Sequence, residues 1–278
     1  MCMKKYMIWI TFVLAFLITI RTEKLIDRSS RNHLEKTVIT SNMYREHHVG
    51  NQMVSFIRTI PNPGKYVGIY LLESKFGNQE WKDKFEVDVF SKLEDDWEEN
   101  ENYQEYMETT KMIWDDVKYF PVPEFTNNSK YRVSYVDTWM SSRTYGGERG
   151  HEGTDIMASE NERGLYPVVS MTDGIVSKKG WLEKGGYRIG ITSPGGAYFY
   201  YAHLDSYADI DIGDEVHAGD ILGFMGDSGY GPEGTVGQFD VHLHLGIYVY
   251  PNGQEMSINP YWVLRYIENR TVKCYTEE

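Results

Sequence analysis

The chain has 278 residues, 41% of them hydrophobic and 14% aromatic, enough to bury one good-sized domain and a smaller one. Its formal net charge of -13 excludes a nucleic-acid binder, because phosphate recognition rests on clustered Lys and Arg. The two cysteines, Cys2 and Cys274, provide no disulfide framework.

Lys4 and Lys5 precede an apolar run from Tyr6 to Ile20, after which Arg21, Glu23 and Lys24 restore polarity. This reads as an export or anchoring segment, residues 1–21. The run is shorter than the about 20 apolar residues of a spanning helix and also fits a signal-peptide core. No small-x-small cleavage pattern follows Ile20, which favours an uncleaved anchor in the cytoplasmic membrane through residues 6–20, the lysine pair staying inside. Either way the remainder is expected outside the membrane, single-pass or, after cleavage, secreted.

Residues 22–48 are polar and mixed in charge and read as a linker. From 49 to 118 the pattern turns helical: Val54 and Ile57, then Val67, Tyr70 and Leu71, then Val87, Phe90, Leu93 and Trp97 recur at spacings of three and four. This small helical region has no assigned role, and docking of an envelope protein partner stays open for it. The acidic run from Glu94 to Glu101 reads as a solvated helix face.

Two prolines in Tyr119-Phe120-Pro121-Val122-Pro123 break any helix and mark a boundary, beyond which 119–278 form a second domain. Its segments Tyr131–Val136, Tyr166–Val169, Gly174–Ser177, Arg188–Thr192, Tyr198–Ala202, Asp220–Met225 and Val241–Tyr250 are short, rich in β-branched and aromatic residues, and punctuated by Gly, Pro or Asp. They predict an antiparallel β domain. The glycines between Gly223 and Gly237 lack the lysine of a phosphate-cradling loop and read as turn chemistry.

In Asp240-Val241-His242-Leu243-His244-Leu245, strand alternation sends Asp240, His242 and His244 to one face and Val241, Leu243 and Leu245 to the core. Two imidazoles on one pleat are half of a metal site, although an isolated HxH is more often a hydrogen-bonded surface pair. His151-Glu152-Gly153-Thr154-Asp155 adds a nitrogen and a carboxylate four residues apart. With one histidine of the HxH it makes three protein ligands and an open fourth position, the composition of a catalytic zinc site. Such a site also needs a proton acceptor and an oxyanion stabiliser, for which His203 and the other HxH histidine are available. No HExxH occurs, so a helical zincin is excluded. Asp240 is a candidate acceptor for one of the two histidines, or a solvated strand carboxylate. Alternate members of Tyr198–Tyr201 are expected in the core, the others along a groove. His47, His48 and His217 are expected at the surface, and Glu152 is left outside the site.

HxxxD at His151 and Asp155, Tyr201-Ala202-His203-Leu204 and His242-Leu243-His244, in that order, resemble the lysostaphin/LytM-type zinc endopeptidases over about residues 130–262. Gly213-Asp214-Glu215-Val216 and the stretch from Ala218 to Gly223 match the turn that leads into that family's sheet. The resemblance implies a mainly β C-terminal domain, an antiparallel sheet groove preceded here by the helical region and the N-terminal membrane segment. It implies one Zn2+ on His151, Asp155 and His244, catalytic roles for His203 and His242, and hydrolysis of amide bonds in peptidoglycan stem peptides or cross-bridges. The alternative is a non-catalytic wall-binding or envelope-complex docking module on the same fold, which would not need the intact histidines.

Overall fold

The two halves of the sequence, one patterned at helical spacing and one at strand spacing, build two kinds of structure in the computed structural model, which describes residues 2–31 and 34–275. The apolar N-terminal run lies in α1 (Cys2–Arg31), with its side chains from Tyr6 to Ile20 exposed, Trp9 at 72%. Among the described residues no helix is long and apolar enough to cross a membrane, so the expected membrane segment gains no support there. Lys4 and Lys5 lie outside the described side chains.

Residues 34–48 are not the linker expected from their polarity. A 3-10 turn (Lys36–Thr40) leads into α2 (Asn42–Glu46), and Leu34, Ile39 and Tyr44 are buried. The Ser41 hydroxyl accepts from the Tyr44 N–H and caps α2. His47 ends the helix in the left-handed conformation at φ 52°, and this turns its ring inward onto Trp114, 6.0 Å between centroids. The histidine expected at the surface is therefore buried, while its neighbour His48 takes the exposed direction. Three apolar residues hidden among charged ones are enough to make this segment part of the fold.

Four further helices follow: α3 (Asn51–Ile57), α4 (Pro63–Glu73), α5 (Val87–Trp97) and α6 (Tyr103–Trp114). Pro63 opens α4, where its missing N–H leaves no bond unmade. At Gly64 a Cβ would stand 2.6 Å from the Lys111 Cα, so glycine lets α4 approach the α6 backbone. The acidic run spans the end of α5 and the turn after it. It is not wholly solvated, because Trp97 is buried and its indole N–H donates to Glu73 at 2.7 Å.

The second half contains β1 (Glu124–Phe125), β2 (Val133–Tyr135), the short pair β3 (Ser142–Arg143) and β4 (Arg149–Gly150), then β5 (Thr154–Ala158) and β6 (Pro167–Val169). The long strands β7 (Gly174–Leu182), β8 (Gly186–Thr192) and β9 (Tyr198–Tyr207) come next, then β10 (Glu215–Val216), β11 (Ile221–Met225), β12 (His242–Val249) and β13 (Met256–Ile258). Helix α7 (Tyr261–Ile267) and β14 (Lys273–Cys274) close the chain. The main sheet runs β10-β7-β8-β9-β12-β5-β2, with β11 on β9 and β6, and β13 on β12. Its pairings are antiparallel; β14 lies parallel to β1 in a separate two-stranded sheet.

Alternation puts Phe199 and Tyr201 of β9 fully in the core and leaves Tyr198 and Tyr200 along a cleft on the opposite face. Both halves share one hydrophobic core, in which Trp114 packs on Tyr266 of α7 at 5.9 Å. Arg58, the residue that ends α3, reinforces the junction, donating from Nε to the Tyr266 carbonyl at 3.1 Å and pairing with Glu268 at 2.8 Å.

Candidate metal centre

Strand β12 sets the site. Leu243 and Leu245 are fully buried on one side, so His242 and His244 emerge together on the cleft side. Strand β5 runs antiparallel beside it with Asp155 directly opposite His244. His151 arrives just after β4, and Gly153 between the two ligand positions leaves space that a side chain would fill. A Cβ there would stand 2.4 Å from the His244 Cε1.

Three donor atoms converge. Asp155 Oδ1 lies 2.9 Å from His244 Nδ1 and 3.0 Å from His151 Nε2, and the two imidazole nitrogens are 3.0 Å apart. His151 Nδ1 faces the Thr138 hydroxyl at 3.0 Å and its carbonyl at 3.3 Å. A carbonyl can only accept, so Nδ1 carries the proton toward Thr138 and Nε2 presents its lone pair to the centre. Burial opposes ionisation of Asp155, but the His151 and His244 imidazoles against its carboxyl, with His242 nearby, outweigh it and hold the carboxyl well below the usual carboxylate range. Burial also lowers the pKa of His244, against the pull of Asp155. Two neutral nitrogens and an ionised oxygen are a zinc donor set. Their separations lie within a few tenths of the about 3.3 Å edge of a tetrahedron with ligands roughly 2.0 Å from the ion.

His203 and His242 stand beside the triad with ring centroids 4.8 Å apart. Each is fixed through Nδ1 to a main-chain carbonyl, His203 to Ser228 at 2.7 Å and His242 to Asp240 at 2.7 Å. The carbonyls must accept, so in the neutral rings Nε2 is the free basic nitrogen. Phe239 packs on both imidazoles, at 4.6 and 5.0 Å. Burial, followed by the charges of His242 and His244, pushes the pKa of His203 well below its ordinary value. The backbone of His203 sits at φ 62°, sparsely populated for a non-glycine residue, at a register shift between β8 and β9. Strain of this kind is characteristic of residues held for a task.

The five residues singled out from the sequence thus come together at one end of a cleft of about 820 Å³. Asp240 contributes through its main chain; its carboxylate instead accepts from Asn161 at 3.1 Å. Glu152 lines the same cleft and pairs with Arg45 of α2 at 2.5 Å. His217 is exposed beside Asp220. Unforeseen was Arg143, whose guanidinium holds the second Asp155 oxygen at 2.8 Å. In sequence it is one arginine of a polar loop, and no spacing rule marks it.

Residues 149–260 match the model of peptidase family M23, and residues 28–116 match the N-terminal domain of LytM. A crystal structure of a LytM protein from Ruminococcus gnavus, described there as a glycyl-glycine endopeptidase, is 52% identical, covering 89% of this chain and 99% of that one with a TM-score of 0.84. The chain belongs to peptidase family M23. Among named members of such enzymes, the L-Ala–D-Glu endopeptidase of Bacillus subtilis is 46% identical over 147 residues, which are 52% of this chain and 42% of that protein. A glycyl-glycine endopeptidase of Staphylococcus capitis is 30% identical over 110 residues, 37% of this chain and 29% of that one. The chain therefore aligns with less than half the length of these two relatives.

Proposed function

We propose that the chain is a zinc-dependent endopeptidase that hydrolyses an amide bond in the stem peptide of peptidoglycan, outside the cytoplasmic membrane. The observation that carries this is the convergence of His151 Nε2, Asp155 Oδ1 and His244 Nδ1 at one end of an open cleft, with two further histidines beside them. A zinc ion on those three atoms would polarise the scissile carbonyl and make water acidic enough to attack near neutral pH.

The chain's own residues do the rest. His203 and His242 are locked by the Ser228 and Asp240 carbonyls, so their Nε2 atoms are positioned to accept the proton of attacking water and to return it to the leaving amine. Protonated, either imidazole offers a charged donor to the oxyanion. Arg143 holds the second Asp155 oxygen and so orients the carboxylate. The groove tyrosines and the Phe239 ring limit water around the two imidazoles. A non-catalytic docking module would have no use for this pair.

The 46% identity to the L-Ala–D-Glu endopeptidase supports the stem-peptide bond before D-Glu, while the Ruminococcus gnavus structure, at 52% identity, bears the name of a glycyl-glycine endopeptidase, so a glycine cross-bridge is the competing bond. The test uses the full chain beside His244→Ala. The wild type is expected to hold about one zinc and to release new amino termini from purified sacculi, the variant neither, with mass spectrometry of the fragments naming the bond. A wild type that binds zinc and cuts only proteins would remove the peptidoglycan assignment, and one that binds no zinc would remove the ligand set.

A further inference from the structure

In a protein of net charge -13, the cleft is lined by Arg143, Arg149, Lys178, Lys184 and Arg188. Three of these cations have evident occupations or reach solvent, and a fourth has a single unmet nitrogen. Arg143 is paired with Asp155. The Lys178 ammonium stands over the Tyr198 ring at 5.3 Å. Lys184 is exposed at the rim, and Arg149 leads into His151 with one buried nitrogen unpaired. Arg188 is different. Its Nε and Nη1 are both buried, and neither has a hydrogen-bond partner among the described residues. A guanidinium cannot shed its charge, so two unmet donors are a standing cost that an anion would remove.

The register of the sheet places this arginine with respect to the chemistry. Asp155 of β5 pairs with His244 of β12, and His244 pairs with Ala202 of β9. On the other side of β9, Ile189 pairs with Tyr201 and Tyr187 with Leu204, so Arg188 falls at the level of Ala202 and His203, inside the register shift of β8. Arg188 is thus in line with the metal centre, two strand spacings away, about 10 Å. An extended peptide whose carbonyl sits at the centre reaches that far with the next residue's side chain or free carboxyl. The surrounding Tyr198 and Tyr200 are held neutral by burial, the latter pushed up to about 12, so they do not compete for the cation.

We infer that Arg188 is a specificity residue whose guanidinium takes a carboxylate of the substrate residue next to the scissile bond. The inference rests on the peptidase reading above and narrows it. D-Glu has two carboxyl groups, and whichever continues the chain, the other stays an anion for Arg188 to bind by paired, charged hydrogen bonds. A substrate carrying the corresponding carboxamide would leave the guanidinium uncompensated and be discriminated against.

The test compares two synthetic tripeptides with the lysine carboxyl amidated in both, L-Ala-D-Glu-L-Lys linked through the D-Glu side-chain carboxyl and the same peptide with the D-Glu α-carboxylate converted to carboxamide. The zinc-loaded full chain is assayed for kcat/KM on both. Binding of the two D-Glu-L-Lys products is measured separately by calorimetry, which needs no turnover. The acid is expected to be preferred by roughly 10- to 100-fold in both readouts, as for a charged hydrogen bond. In Arg188→Gln the ratio should fall toward one at unchanged zinc content. Arg188→Lys covers the case in which the glutamine variant does not fold: charge without the planar fork should retain only part of the ratio. Equal cutting of both peptides by the wild type, or a ratio that survives both substitutions, overturns the subsite and leaves the peptidase reading standing. Preferential binding of the acid product with no cleavage of either peptide supports the subsite and sinks the peptidase reading.

Discussion

Each half of the molecule buries histidine, and the two burials have opposite character. In the helical half His47 is alone: Nδ1 donates to the Tyr44 carbonyl at 2.7 Å, Nε2 meets no partner among the described residues, and the ring is packed against Trp114 and Tyr44 with no access to solvent. In the β half His203 lies within 6 Å of His242 and of His244, centroid to centroid, and His203 and His242 are each anchored through Nδ1 with Nε2 at the cleft. Burial by itself therefore does not mark a functional histidine. What separates them is convergence, a fixed tautomer and an opening, and the difference can be tested by asking what is lost when each is removed.

The largest loss is expected at His203. In His203→Ala the ligands His151, Asp155 and His244 are untouched, so zinc content should match the wild type while kcat falls by about 10²- to 10⁴-fold, the range for a positioned proton-transfer group. Metal analysis and stem-peptide hydrolysis on one preparation check this. A variant that loses zinc would make His203 a ligand in place of a catalytic group, and one that keeps full rate would leave the pair without a role.

His47 should matter to stability and not to chemistry. Burial pushes its pKa from 6.5 down to about 4, with the bond to the Tyr44 carbonyl opposing only in part. A depressed histidine contributes fully above pH 6.5, where both folded and unfolded chains hold it neutral. That contribution is lost as pH falls toward 4, because the unfolded chain takes up the proton first. The shift corresponds to on the order of 3 kcal/mol. His47→Asn tolerates the left-handed backbone and can still donate to Tyr44. Urea denaturation of both proteins between pH 7 and 4 should show the wild type losing more stability than the variant by about that amount, with zinc content equal at pH 7. Parallel losses would mean that the ring is reached by water and the contrast between the halves is weaker than the structure indicates.

How much of this contrast was legible beforehand follows from where the information lies. Alternation of polar and apolar residues in Asp240–Leu245 is local, and it correctly sends Leu243 and Leu245 inward and both histidines outward. The helical spacing around Val67 and Phe90 is local too, and α4 and α5 stand where it predicts. The anchors of the two catalytic candidates are carbonyls of Ser228 and Asp240, and a main-chain acceptor leaves no mark in a side-chain pattern. Arg143 and Arg188 look like surface cations because their partner or lack of one is decided by strand register. The inward turn of His47 depends on one left-handed residue closing a short helix, and the packing of residues 34–48 on three scattered apolar side chains. Periodicity carries neither.

The smallest effect sits where the halves meet. Arg45 of α2 donates from Nε to the Ser257 carbonyl at 3.1 Å and from Nη2 to the Ser257 hydroxyl at 2.7 Å, pairs with Glu152 at 2.5 Å, and lies over the Trp139 ring at 5.6 Å. Glu152 directly follows His151, so α2 reaches the rim of the cleft through one side chain. Its arginine is mostly covered but Glu152 is about half exposed, and screening reduces what that ion pair contributes. The carbonyl and hydroxyl bonds dominate, and Arg45→Met, which keeps the stem's packing, is expected to cost roughly 1–2 kcal/mol in urea denaturation. With zinc content unchanged, kcat should stay within about threefold of wild type while KM rises modestly, because the rim is loosened and the imidazoles are not. A fall in kcat as deep as that of His203→Ala would mean that the helical half helps to assemble the catalytic geometry, and the division between a packed half and a reactive half would have to be given up.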